Sequence, residues 1–79
     1  MSIPDNLDAL LRRDKTAEAL TAAGYPTAKS TLAWFASMGG GPPFQRYGKY
    51  PLYRWGSSLD WAQSRLSRTV NSTSELNAA

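Results

Sequence analysis

The stretch Asp14-Lys15-Thr16-Ala17-Glu18-Ala19-Leu20-Thr21-Ala22-Ala23-Gly24-Tyr25-Pro26-Thr27-Ala28-Lys29-Ser30-Thr31-Leu32-Ala33-Trp34-Phe35-Ala36-Ser37-Met38 holds two helical patterns separated by a stop signal and a start signal. Ala17, Leu20 and Ala23 recur on one face while Lys15 and Glu18 fall off it, which predicts an amphipathic helix over 14–22. Gly24 tolerates a left-handed C-cap, Pro26 denies Tyr25 the helical region, and Thr27 is placed to cap the next helix. The second helix is expected over 28–38, with Ala28, Thr31, Leu32 and Phe35 on one face and Lys29, Ser30, Ala33, Trp34 and Ser37 on the other. Gly39-Gly40-Gly41 ends it.

Downstream, Pro42-Pro43 forces extended backbone and Phe44 to Tyr47 alternates as a strand does. Gly48-Lys49-Tyr50 supplies a reversal and Leu52-Tyr53-Arg54 returns, giving a short hairpin over 44–54 that Pro51 should hold at a sheet edge. After Gly56, Ser57 or Ser58 can cap a third helix carrying Leu59, Ala62 and Leu66 on one face, expected to reach Ser67 or Arg68. Upstream, Leu7, Leu10 and Leu11 form a short helical stripe that Asp5 or Asn6 could cap. The chain thus divides into an N-terminal arm or short helix (1–11), one folded unit (12–68) and a polar tail (69–79) expected to be disordered. The predicted class is mostly α with a small β-hairpin, and Leu20, Leu32, Phe35, Phe44, Tyr53, Leu59 and Trp61 read as its core.

A chain of 79 residues allows one domain. Cysteine and histidine are both absent, so disulfides, zinc fingers, thiolate nucleophiles and imidazole catalysis are excluded. With six acids, three of them in the outer segments, a hydrolase or metal-dependent nuclease lacks its acidic cluster; no catalytic residue, metal or cofactor is expected. No apolar run spans a membrane and the first residues lack a signal-peptide pattern, so a cytoplasmic protein without membrane contact is expected. All nine Lys and Arg lie between residues 12 and 68 with only three acids, a net +6, whereas the two ends carry −3. A small unit with that field suits a polyanion, because neutralising phosphates releases counterions.

Helix, tight turn, helix, glycine break, basic hairpin, helix is the order of a winged helix-turn-helix. Asp14-Lys15-Thr16-Ala17-Glu18-Ala19-Leu20, Ala28-Lys29-Ser30-Thr31-Leu32, Pro43-Phe44-Gln45-Arg46-Tyr47-Gly48-Lys49, Leu52-Tyr53-Arg54 and Leu59-Asp60-Trp61 follow one another at intervals that resemble the excisionase branch of the MerR-like winged helix-turn-helix proteins. The resemblance covers roughly residues 11 to 68. It implies binding of double-stranded DNA, with the second helix in the major groove and the hairpin wing on the backbone or minor groove. It further implies a bacterial or phage-encoded recombination directionality factor, a non-catalytic partner that biases a site-specific recombinase (integrase) toward excision of a mobile element. A small phage or mobile-element transcription regulator is the alternative, and a protein-interaction module built on the Pro-rich and aromatic segment 42–55 is the rival from another class.

On the expected recognition helix, Lys29 can donate to guanine or phosphate, Ser30 can serve either, and Thr27 is divided between capping and phosphate contact. Trp34 is open to three roles: packing against the wing or another helix, DNA contact, or contact between protomers. On the wing, Arg46, Lys49 and Arg54 are the expected backbone or minor-groove contacts. Arg12 and Arg13 can reach flanking backbone but oppose the helix dipole there, and Arg65 and Arg68 suit a helix C-terminus. So small a reading surface implies cooperative head-to-tail association of copies on DNA, or help from the recombinase.

Overall fold

The computed structural model describes residues 3–66 and 71–72, and shows three helices with a three-stranded antiparallel sheet. Strand β1 (Leu10–Arg12) passes without a loop into helix α1 (Arg13–Ala22); helix α2 (Lys29–Met38) follows after a turn. Strands β2 (Phe44–Tyr47) and β3 (Tyr50–Arg54) form the hairpin, and helix α3 (Trp55–Ser64) continues directly from β3. The sheet order is β1-β3-β2.

The expected helix around Leu7, Leu10 and Leu11 is a strand. Three apolar residues are too few to nucleate a helix unaided, and the free edge of β3 offers them a ladder instead: Leu10 pairs with Arg54, Leu11 with Tyr53 and Arg12 with Leu52. The alignment extends beyond the strand, since the Trp55 and Gly56 amides donate to the Ala9 and Leu7 carbonyls at 2.8 Å each. Leu11 consequently faces inward beside Tyr53 while Leu10 is exposed. The two-stranded hairpin expected from sequence is therefore part of a three-stranded sheet.

That third strand also corrects the role of Pro51, which sits in the central strand and not at an edge. Tyr47 and Tyr50 close the turn, so the next pair, Arg46 and Pro51, falls at the non-hydrogen-bonded position of the β2–β3 ladder. On its other side β1 reaches only as far as Leu52, so the missing proline N–H removes no ladder bond. Gly48 has φ 63 and no other residue of the turn has a positive φ, the pattern of a type II′ turn with glycine first. Lys49 is thereby carried to the hairpin tip.

Helix α1 buries Thr16, Ala17, Ala19 and Leu20. The hydroxyl of Thr16 donates back to the Arg12 carbonyl at 2.9 Å, which satisfies a buried polar group where strand becomes helix. At the other end Gly24 takes φ 102, and the Gly24 and Tyr25 amides donate to the Thr21 and Leu20 carbonyls at 3.1 and 2.8 Å, a Schellman closure. Helix α2 starts at Lys29 with Ala28 as its cap residue, and Leu32 is its fully buried side chain.

Thr27 does not cap α2. Its hydroxyl donates to the Tyr25 carbonyl at 2.8 Å, and its backbone is clamped by Thr21, whose Oγ1 accepts from the Thr27 amide at 3.2 Å and faces the Thr27 carbonyl at 3.1 Å. Asn6 likewise closes a local turn through Oδ1 and the Asp8 amide, and caps no helix.

Helix α3 begins before Gly56 and without a serine cap; Ser58 is buried within it and donates to the Arg54 carbonyl at 3.1 Å. It ends at Ser64, short of the expected Ser67 or Arg68, which lie outside the described residues. The tail expected over 69–79 is also outside them, apart from Asn71 and Ser72. The buried core is Ala17, Ala19, Leu20, Leu32, Tyr53, Trp55 and Ala62, which includes the expected Leu20, Leu32 and Tyr53, and Leu11, Tyr25, Leu59 and Trp61 pack around the cluster formed by Ala19, Leu20, Trp55 and Ala62. Trp55, 2% exposed, is its largest member and was not among the residues expected there; Phe44, expected inside, is exposed.

Candidate nucleic-acid interface

The register of the sheet decides which hairpin side chains look toward the helices. Directly paired residues share a face, so Arg46, Phe44, Pro51 and Leu11 lie on the side of buried Tyr53, while Leu10, Arg12, Gln45, Tyr47, Tyr50, Leu52 and Arg54 occupy the other. The hairpin tip extends past the end of β1 and ends beside the junction where β1 turns into α1. Because the Thr21–Thr27 clamp fixes the turn between α1 and α2, the first residue of α2 is held near the same place.

A cleft of about 250 Å³ results, lined by Arg12, Arg13, Asp14, Lys29, Lys49, Tyr50 and Pro51. Four cations from three parts of the chain meet there against one carboxylate. The only ion pairs among the described residues are Lys15 with Glu18 and Arg54 with Asp8, so none of the four is in an ion pair and the cleft keeps an excess of three positive charges over Asp14. The Tyr50 ring holds two of them in place: the Arg12 guanidinium lies 4.5 Å from its centre and the Lys49 ammonium 5.5 Å. Arg13 donates through Nε to the Tyr53 hydroxyl at 3.0 Å. Such a site offers an oxyanion several N–H donors in a concave, positive setting.

Of the residues selected from sequence, Lys29 and Lys49 enter this cleft. Arg46 is exposed on the adjoining β2 position, opposite the cleft residue Pro51. Ser30 is exposed one residue along α2. Thr27 is half-buried and engaged in the turn.

Arg54 lies elsewhere, at the end of β3 remote from the tip, with Nε 2.9 Å from Asp8 Oδ1 and Nη2 against the same oxygen. Its partner, Asp8, comes from the segment expected to be an arm or short helix. Trp34 packs on neither the hairpin nor another helix: it is 58% exposed, with one edge contact to Phe35 at 5.1 Å.

Tyr50 is the addition, and Arg12 and Arg13, weighed from sequence only as contacts to flanking backbone, line the cleft with it. Their signal was hidden because Leu10 and Leu11 read as helix, which leaves Arg12 with no reason to approach Tyr50. A second, more apolar hollow of about 240 Å³ opens between the α1–α2 turn, α2 and the end of α3. Arg65 caps it, 4.8 Å from the Phe35 ring centre and 5.1 Å from that of Trp61. Among the described residues there is no cluster of three potential metal ligands and no helix long and apolar enough to cross a membrane.

No protein-family model matches the chain, and neither the curated proteins nor the solved structures contain a significant match.

Proposed function

We infer that the protein binds double-stranded DNA as a winged helix-turn-helix module, with the start of α2 entering the major groove and the β2–β3 turn serving as a wing on the backbone. The cleft carries this reading. Four cations against the single carboxylate of Asp14 repel one another in the free protein, and a phosphate backbone relieves that repulsion while releasing its own counterions. The element order supports the same reading, since the hairpin follows the second helix and its tip returns to that helix's first residue. A ten-residue helix is about 15 Å long, and its first turns fit a groove about 12 Å wide.

Within this reading the chain acts as an excisionase, a stoichiometric partner that biases an integrase toward excision. The support for this finer step is the run of motifs between Asp14 and Trp61. The small reading surface favours several copies side by side on DNA, or a recombinase that contributes specificity.

Titration of a fluorescent duplex at several salt concentrations tests DNA binding. Four or five phosphate contacts give a log-log slope near −4, from about −0.9 per neutralised phosphate. A flat response would replace DNA with a protein partner. Footprinting on the element's DNA tests the finer step: protection next to the integrase attachment site supports an excisionase, and protection confined to a promoter supports a transcription regulator.

A further inference from the structure

Among the described residues, one face of helix α2 has no protein partner. Leu32 is buried and Ala33, Phe35 and Ala36 are half-buried, whereas Ser30, Trp34, Ser37 and Met38 are exposed on the opposite side. This outward face carries no charge and no amide side chain. Its two large members are strongly exposed, Trp34 at 58% and Met38 at 68%, and the i,i+4 spacing sets them one above the other.

The indole is held from behind. Trp34 meets Phe35 edge-on at 5.1 Å, Phe35 meets Trp61 edge-on at 5.6 Å, and Trp61 Nε1 donates to the Gly40 carbonyl at 2.8 Å. A buttressed indole beside a methionine is poorly suited to pairing with donors and acceptors on base edges, and well suited to an apolar projection.

We propose that this face of α2 reads C5-methyl groups of pyrimidines in the major groove, that thymine is their source, and that Trp34 is the principal contact. The inference rests on the DNA-binding reading. What commits the face to DNA is its continuity with the cationic cleft. Lys29, which lines the cleft, is the first residue of α2, and Ser30 beside it begins the outward face. A duplex whose backbone is held at the cleft brings its major-groove edge along this helix, and thymine is the only standard base that presents a methyl there.

The test uses competing duplexes of equal length and charge: alternating dA-dT against alternating dA-dU, which lacks only the methyls, and alternating dG-dC against the same duplex carrying 5-methylcytosine. The wild-type protein should prefer dA-dT over dA-dU by about fourfold for each methyl buried, with a smaller gain in the cytosine pair. Trp34→Ala should bind dA-dT and dA-dU alike while staying folded, its melting temperature lowered only by the loss of the edge contact to Phe35; Met38→Ala should lose part of the preference.

Equal wild-type affinity for dA-dT and dA-dU overturns the proposal while leaving DNA binding intact. An equal or larger gain from methylated cytosine overturns the thymine assignment. Loss of self-association by Trp34→Ala with the methyl preference retained overturns it in favour of a contact between copies. Failure of all four duplexes to bind removes the DNA reading itself.

Discussion

Replacing Gly41 by alanine would set a methyl carbon 2.5 Å from Cβ of Phe35 and 3.3 Å from its Cγ, with the Phe35 Cα at 3.7 Å. Non-bonded carbons pack at about 3.5–4.0 Å, so the glycine loop or the Phe35 side chain must withdraw by about 1 Å. Neither is free to do so. Phe35 is held edge-on between Trp34 and Trp61 with the Arg65 guanidinium over its ring, and the loop is tied to α3 through the bond from Trp61 to the Gly40 carbonyl. Overpacking of this kind costs about 1–3 kcal/mol. At about 4–8 °C per kcal/mol for a domain of this size, Gly41→Ala should melt about 5–20 °C below the parent, followed by far-ultraviolet circular dichroism. The near-ultraviolet spectrum should change with it, because two indoles contact the displaced ring. A melting temperature within about 2 °C of the parent's, with an unchanged aromatic spectrum, would refute the packing described for this loop.

Lys49→Ala should weaken all duplex sequences alike and reduce the salt slope by about 0.9; Lys29→Ala should weaken a selected site more than random DNA, and parallel loss on both would remove Lys29 from base readout. Tyr50→Ala removes the ring shared by Arg12 and Lys49 and should lower duplex affinity about two- to fivefold, as expected for a cation–π contribution of about 0.5–1 kcal/mol, while Tyr50→Phe keeps the affinity. Arg54→Ala breaks an exposed pair with Asp8 and should cost less than about 1 kcal/mol in a urea melt, with duplex affinity unchanged; a large loss of affinity would return Arg54 to the interface.

The helices were legible because their signals are local. The Gly24-Tyr25-Pro26-Thr27 break and the glycine run after Met38 bound α1 and α2 to within a residue or two, and Tyr47-Gly48-Lys49-Tyr50 gives the hairpin turn. β1 was not legible, because three residues that alternate toward a distant strand look the same locally as a short helical stripe. That single misreading accounts for several others. Without β1, β3 is an edge strand and Pro51 looks like its guard, Asp8 has no reason to meet Arg54, and Arg12 has none to meet Tyr50. The caps failed for a different reason: Thr27 and Ser58 satisfy other backbone carbonyls, and helices that continue from strands, as α1 and α3 do, take an extended residue at the cap without a side-chain bond. Lys29 and Lys49 were found as charges on a helix start and a turn tip; only the third strand reveals that Arg12 and Arg13 stand beside them.

Whether one cationic concavity is where nucleic acid lands can be read residue by residue from amide chemical shifts as a short duplex is added to the isotopically labelled protein. Perturbations should gather at residues 12–14, 29–30 and 48–50, and extend along the outward side of α2. Shifts confined instead to the hollow between Phe35, Trp61 and Arg65, with the amides of Arg12, Lys29 and Lys49 unmoved, would contradict the account.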